Sequence, residues 1–115
     1  MMETCMCWGF ECGDGWFNIL DQLMGNIQHH IDWKNEQFTK YNRGQAIEQV
    51  TLDQVKEKFG TLRFYYSGGD DVIDGMVTMA ESMSVVTCET CGSPGTQTQG
   101  GWIQTLCAAH KSEDA

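Results

Sequence analysis

The chain has 115 residues, a formal net charge of -9 and six cysteines. This length suits one compact domain, with room for an appended metal-binding module. The excess of acidic over basic residues, 16 against 7, argues against a general nucleic-acid-binding protein, because phosphate contacts need clustered Lys and Arg. The same acidic balance is compatible with a protein partner that carries a basic surface.

The first thirteen residues predict an irregular segment that bears Cys5, Cys7 and Cys12. This segment has neither the basic region nor the apolar region of a signal peptide, so we expect no leader. No apolar run in the chain approaches the roughly 18 residues of a membrane span. We therefore expect a cytoplasmic protein, and in that compartment paired cysteines indicate metal binding rather than a disulfide.

A long helix is predicted over residues 15–38, with Asp14 as its N-cap. Apolar residues recur at intervals of four, three, four and four, which places them on one helical face. That face comprises Trp16, Leu20, Leu23, Ile27 and Ile31. The opposite face carries polar side chains and is expected to contact solvent.

A strand pair is predicted next, because apolar and polar residues alternate on both sides of the stretch KEKFG. The alternating apolar residues are Val50 and Leu52 in the first strand and Leu62, Phe64 and Tyr66 in the second. KEKFG is the predicted connection, and a short helical turn at 53–58 is the alternative.

The acidic pair Asp70 and Asp71 can cap a second helix, which we extend to about Met83. Its predicted inner side, which we assign to the core, comprises Val72, Met76, Met79, Ala80 and Met83. Two helices on a small antiparallel sheet predict an α+β domain over residues 1–84.

The most explicit motif lies near the C-terminus, where C-x2-C is followed, after fifteen residues, by C-x2-H. Three thiolates and one imidazole form a closed tetrahedral ligand set that suits zinc. We predict one structural Zn²⁺ held by Cys88, Cys91, Cys107 and His110. The order of knuckle, hairpin and helix resembles a treble-clef or zinc-ribbon module, and we assign residues 85–115 to such a module packed on the first domain.

A catalytic role for this zinc is not expected. Catalytic zinc usually keeps three protein ligands and an open position, and the zinc deaminases add a glutamate in an H-x-E pattern. Here four candidate ligands close the shell, and Glu89 lies between two cysteines instead. The chain also lacks a nucleophile pattern and a Gly-rich phosphate loop, so we predict that it is not an enzyme.

A second metal site formed by Cys5, Cys7 and Cys12 with His29 or His30 is an alternative use of the N-terminal cysteines. Their spacing is not that of a standard knuckle, and the histidines lie about 22 Å beyond the helix start. We therefore interpret these cysteines as small buried apolar residues.

Basic and aromatic residues are concentrated in the second half of the strand pair. Lys56, Lys58, Arg63 and Tyr65 could neutralise phosphates and stack on bases, or contact a partner protein. The alternative is an ordinary sheet whose charges face solvent. We interpret the two aspartates of the adjacent GGDD as helix caps rather than magnesium ligands.

Four stretches, FECGDGW (10–16), VKEKFGTLRFYYSGGDD (55–71), CETCG and TLCAAH, resemble those of small uncharacterised proteins from bacteriophages and prophages. The resemblance spans nearly the whole chain. It implies a viral or prophage origin and a role in the cytoplasm of a bacterial host. It assigns no activity to any residue.

These observations together predict a non-enzymatic, acidic phage accessory protein that binds and modulates a bacterial host protein. A nucleic-acid-handling or defence enzyme, such as a CRISPR effector, is the partner class that the charge favours. The alternative is a nucleic-acid-binding zinc protein that regulates phage or host transcription. Both a monomer and a homodimer are compatible with the sequence.

Overall fold

In the part of the chain that the structure describes, the fold consists of three α-helices and two antiparallel hairpins, which confirms the predicted α+β class. The computed structural model describes residues 10–113. The elements are α1 (Phe17–Tyr41), β1 (Thr51–Lys58), β2 (Thr61–Ser67), α2 (Asp71–Ser84), β3 (Thr96–Gln97), β4 (Thr105–Leu106) and α3 (Ala108–Glu113). Among the described helices, none is both long enough and apolar enough to cross a membrane.

Helix α1 confirms the predicted buried face. The five residues at the predicted spacing, Trp16, Leu20, Leu23, Ile27 and Ile31, are all buried. The predicted cap is wrong, because Asp14 begins a short 3₁₀ turn (Asp14–Trp16) that precedes α1, and Trp16 occupies the cap position without a capping hydrogen bond from its side chain. The helix also runs three residues beyond the predicted end, to Tyr41, and Asn42 then adopts a left-handed conformation (φ 51°) and closes it.

Strands β1 and β2 form the predicted hairpin, but its turn contains only Phe59 and Gly60. Both residues have positive φ, which is the backbone twist that a two-residue hairpin turn requires. The alternative of a helical turn at 53–58 is therefore wrong. A bulge between Leu52 and Gln54 shifts the register, and Leu52 is 42% exposed rather than buried.

Both edges of this hairpin are covered. Along β1, Glu11 donates to the carbonyl of Val55 (2.9 Å) and accepts from the N–H of Glu57 (3.0 Å). Along β2, the N–H of Leu62 donates to Ser84 Oγ (2.8 Å), and that of Phe64 to a carboxylate oxygen of Glu81 (3.0 Å). Side chains of α2 thus replace a neighbouring strand.

Helix α2 begins as predicted, because the Asp70 side chain accepts a hydrogen bond from the N–H of Ile73. The predicted inner face is largely wrong. The residues that α2 buries are Ile73, Val77, Ala80 and Ser84, whereas Val72, Met79 and Met83 are exposed and Met76 is half-buried. Helix α2 carries two rows of apolar residues. Ser84 and Glu81 accept hydrogen bonds from N–H groups of β2, and these bonds place the row with the smaller side chains against the core.

Candidate metal centre

Four side chains with metal-binding atoms converge between the β3–β4 hairpin and α3. The donor atoms of Cys88, Cys91, Cys107 and His110 all lie within 4.8 Å of one another. Cys91 Sγ is 3.7 Å from Cys107 Sγ, and His110 Nδ1 is 3.6 Å from Cys88 Sγ and 3.1 Å from Cys107 Sγ. The predicted quartet therefore forms a possible metal site.

Backbone turns position the first two sulfurs. The N–H of Gly92 donates to the carbonyl of Cys88 (2.8 Å), and the N–H of Cys88 donates to the carbonyl of Ser93 (2.7 Å). Gly92 has φ 84°, a conformation that favours glycine, and it lets the chain turn beneath both cysteines. We call residues 88–92 the knuckle.

The second pair of donors lies where a strand passes into a helix. Strand β4 ends at Leu106, Cys107 follows, and α3 begins at Ala108. The helical bond from the N–H of Lys111 to the carbonyl of Cys107 (3.0 Å) places His110 one turn from Cys107. A strand-to-helix junction thus brings both side chains to the same end of α3.

Hydrogen bonds from the backbone lower the pKa of each of the three thiols, whereas burial raises it. Ser93 lowers the pKa of Cys91 to about 7. Burial alone would raise the pKa of Cys88, but N–H donors from neighbouring backbone outweigh it and the pKa is lowered. A backbone N–H favours the Cys107 thiolate, yet burial and the two nearby thiols raise its pKa. Three thiolates this close together need a cation, which is what a bound metal supplies.

Glu89 ties the knuckle to the segment that precedes α1. Its carboxylate accepts a hydrogen bond from the N–H of Gly13 (2.9 Å), and its carbonyl accepts one from the N–H of Gly15 (2.6 Å). The side chain is 9% exposed, and burial raises its pKa despite the donor at Gly13. This carboxylate faces the N-terminal segment.

Trp16 completes this contact. Its indole N–H donates to the carbonyl of Thr87 (2.9 Å), directly before the knuckle, and the side chain is fully buried. We call the contact of Gly13, Gly15 and Trp16 with Thr87 and Glu89 the N-terminal clamp. The sequence analysis missed it, although the paired glycines of CGDGW are a signal for close backbone approach.

The β1–β2 turn contacts the other side of the module. The buried hydroxyl of Thr105 donates to the carbonyl of Gly60 (2.6 Å), and the carbonyl of Thr105 accepts from the N–H of Glu89 (2.9 Å). The metal module is thus hydrogen-bonded to both the N-terminal segment and the first hairpin.

Among the described residues, Cys12 does not join a second metal-binding cluster. Cys12 is buried in the main core, and Cys5 and Cys7 lie outside residues 10–113. His30 Nε2 is hydrogen-bonded to a carboxylate oxygen of Asp70 (3.0 Å), and His29 is exposed on α1. Across residues 10–113, no further group of three metal-binding side chains converges.

The predicted basic and aromatic residues share the outer face of the hairpin. Lys56 and Arg63 are directly opposite each other, and the ammonium of Lys56 lies 6.0 Å from the centre of the Tyr65 ring. The ammonium of Lys58 lies 5.8 Å from the Phe59 ring. The Arg63 Nε is buried and has no hydrogen-bond partner among the described residues. We call Lys56, Lys58, Arg63 and Tyr65 the basic sheet face.

A comparison with known protein families, curated proteins and solved structures finds no match to this chain. The resemblance to phage proteins therefore stays a prediction. Three thiols and one imidazole at this site can hold a metal, and the buried carboxylate of Glu89 fixes the backbone beside them.

Proposed function

We propose that the chain is a non-enzymatic zinc protein of phage origin that binds and modulates a bacterial host protein. The observation that carries this proposal is the segregation of charge. All seven Lys and Arg residues lie at 34–63 and at 111, so that residues 64–110 and the first 33 contain none. A surface of one sign steers and orients a partner of the opposite sign.

Zinc is the metal that the quartet fits best. Thiolate sulfurs about 2.3 Å from a tetrahedral zinc ion are separated by roughly 3.8 Å, and a sulfur and a ligating nitrogen by slightly less. The distances of 3.7 Å between Cys91 Sγ and Cys107 Sγ and 3.6 Å between Cys88 Sγ and His110 Nδ1 are close to these values, and the 3.1 Å between Cys107 Sγ and His110 Nδ1 is shorter. Three soft sulfur donors also favour zinc over magnesium or calcium.

A structural rather than catalytic role follows from the donor count. Four protein donors fill a tetrahedral coordination shell and leave no position for water or substrate. The carboxylate of Glu89, which follows Cys88, accepts from the N–H of Gly13 and is committed to the N-terminal clamp. When bound, zinc would cross-link the knuckle to α3 and stabilise the fold.

The proposed partner is a bacterial enzyme with a basic nucleic-acid groove, such as a CRISPR effector or another defence nuclease. An acidic protein can occupy such a groove by presenting carboxylates where phosphates would lie. The proposed setting is the cytoplasm of the bacterial host, where such enzymes act.

Affinity capture tests this function. The zinc-loaded full chain is immobilised, and bacterial lysate is applied near physiological salt. We expect specific recovery of a nucleic-acid-handling protein, its release by added nucleic acid, and inhibition of that protein's activity after both are purified. Recovery of no specific protein, or of one whose activity is unchanged, would contradict the proposal. Sedimentation of the full chain alone reports whether it acts as a monomer or a homodimer.

The second candidate function, binding of nucleic acid by the basic sheet face, is favoured by one observation. Lys56 and Arg63 are like charges directly opposite on paired strands, an arrangement that is unfavourable until an anion lies between them. A mobility-shift assay at low salt with Lys56→Glu and Arg63→Glu variants tests it. A shift that weakens steeply with salt and is lost in both variants supports this candidate, and no shift rejects it.

A further inference from the structure

An apolar groove lies between α1 and α2, on the side of α2 that faces away from the hairpin. Its volume is about 530 Å³. The floor is formed by Ile19, Leu23 and Ala80, and the α2 wall by Met79 and Met83. Neither the basic sheet face nor the candidate metal centre contributes residues to the groove lining.

The wall of this groove is exposed apolar surface. Met79 is 65% exposed and Met83 is 47% exposed, although both were predicted to lie in the core. Methionine side chains are flexible and polarizable, so they adapt to the shape of a bound apolar partner. Gly75 and Met83 are about 12 Å apart along α2, which suits a partner helix of two to three turns.

A glycine opens the end of the groove. Gly75 lies inside α2, where glycine costs about 1 kcal/mol relative to alanine. A Cβ at this position would meet no atom within 4 Å, so packing among the described residues does not require glycine here. Gly25 in α1 is likewise open. Glycines without a packing role allow another backbone to approach closely.

The charges around the groove are of one sign. Asp21 lies beside the α1 wall, next to Gln22 and Asn26, and Asp71 lies one turn before Gly75. Helix α2 contains no Lys or Arg, and α1 has its first Lys or Arg at Lys34, beyond the groove. A helix that places apolar residues in the groove and basic residues at its rim would complement both features.

We propose that the groove binds a cationic amphipathic helix of the host protein. This inference rests on the proposed protein-binding function and names its docking surface. The apolar face of the helix packs on Met79, Met83 and Leu23, and its basic flanks pair with Asp21 and Asp71.

A peptide titration tests the groove without any knowledge of the host protein. The probe is a labelled Leu/Lys model helix of about 14 residues, with its leucines on one face. Its controls are a scrambled Leu/Lys peptide and a Leu/Glu peptide of the same pattern. Anisotropy is measured with the zinc-loaded full chain, and we expect saturable binding of the amphipathic Leu/Lys peptide alone.

Two variants locate the binding site. Gly75→Leu should fill the groove, lower the affinity about tenfold or more, and leave the folded chain at least as stable, because leucine is the better helix former. Met79→Glu should also weaken binding. The matched control is Thr78→Glu, on the same helix and exposed but outside the groove lining, which should bind as the parent does.

Several outcomes would overturn the proposal: no binding of the Leu/Lys helix, equal binding of the scrambled or Leu/Glu peptide, or an equal loss of affinity in Thr78→Glu. Dissociation of a homodimer by Met79→Glu would assign the groove to a second copy. Nuclear Overhauser contacts in the free chain between the Met79 methyl and residues 1–9 would assign it to the chain's own N-terminus. If the peptide results hold but Met79→Glu still captures the host protein, the proposed function stands and the docking surface lies elsewhere.

Discussion

Two glycines set how closely the N-terminal segment approaches the metal centre. A Cβ on Gly15 would overlap the carbonyl oxygen of Cys88 and the backbone of Glu89, and a Cβ on Gly13 would overlap Glu89. The neighbouring atoms are backbone, which cannot turn aside as a flexible side chain can. These positions are therefore steric requirements of the N-terminal clamp.

Substitution of Gly15 by alanine tests that requirement. Overlap with backbone should destabilise the chain by roughly 2 kcal/mol, as overpacking typically does. The matched control is Gly25→Ala, at an open position inside α1, which should stabilise the chain by about 1 kcal/mol. Denaturant unfolding of the zinc-loaded chain measures both. Equal and small effects at the two positions would contradict the proposed role of Gly15.

At the residue scale, the four metal-binding side chains could be predicted, because each pair is fixed by local spacing. The burial of Glu89 could not. Its environment depends on Gly13, which is 76 residues away, and on a backbone donor that no side-chain pattern reveals. Met79 and Met83 were assigned to the core because hydrophobicity alone does not distinguish a core face from a groove wall.

Among the elements, α2 has two roles at the hairpin edge. It packs Ile73 and Val77 into the core, and it supplies Ser84 and Glu81 to the free N–H groups of β2. Ser84 Oγ also donates to the carbonyl of Glu81 (2.6 Å), so one hydroxyl satisfies both a strand donor and a helix acceptor.

Removal of this hydroxyl should expose its contribution. Ser84→Ala leaves the N–H of Leu62 without an acceptor at a buried position, and we expect a loss of about 1–3 kcal/mol in the free energy of unfolding. Ser82→Ala, at an exposed position on the same helix, should change it by less than about 0.5 kcal/mol. Denaturant titration compares them, and a Ser84→Ala variant as stable as Ser82→Ala would show that the bond is dispensable.

The start of α2 should make stability depend on pH. Burial alone would raise the pKa of Asp70, but hydrogen bonds from His30 and from the N–H of Ile73 outweigh it, and the pKa lies below its ordinary value. The unfolded chain therefore binds this proton more readily, so the contribution of Asp70 is present above the ordinary pKa and is lost as pH falls through the folded pKa.

Asp70→Asn isolates this contribution, because asparagine can still cap the helix but does not titrate. We expect the free energy of unfolding of the parent chain to fall more steeply than that of the variant as pH is lowered from about 4. Urea titrations over a series of pH values measure the two slopes. Parallel slopes would show that Asp70 has the same pKa in the folded and unfolded chains.

At the scale of elements, periodicity predicted α1, the hairpin and α2, because each buries one regular stripe. The ends and phases were less predictable. The bulge near Leu52 lies in the pairing between β1 and β2, and the face that α2 buries depends on its hydrogen bonds to β2. Neither contact can be inferred from one segment alone.

Across the described residues, hydrogen bonds to backbone groups join the segment that follows residue 84 to the rest of the chain on two sides. The N-terminal clamp holds the knuckle, and Thr105 holds the β1–β2 turn through Gly60. The sequence suggested a boundary near residue 84 because the motif after it is local. Metal removal tests whether residues 85–115 unfold separately from the rest of the chain.

Removal of the proposed zinc ion should change the environment of Trp16. Without the metal, the three crowded thiols and His110 no longer hold the knuckle, and the carbonyls of Thr87 and Glu89 lose their fixed positions. Trp16, which is fully buried and donates to Thr87, should then become accessible to water. Its fluorescence is isolated in a chain with Trp8→Phe, Trp33→Phe and Trp102→Phe.

We expect chelation to release one zinc per chain and to shift the Trp16 emission to longer wavelength, with recovery on adding zinc back. The control is a chain in which Trp33 is the reporter, since that side chain is already 54% exposed and lies far along α1 from the clamp. A red shift at Trp16 with little change at Trp33 would show that the metal orders the N-terminal segment. Zinc release that leaves the Trp16 emission unchanged would instead mean that the N-terminal clamp forms whether or not the metal is bound.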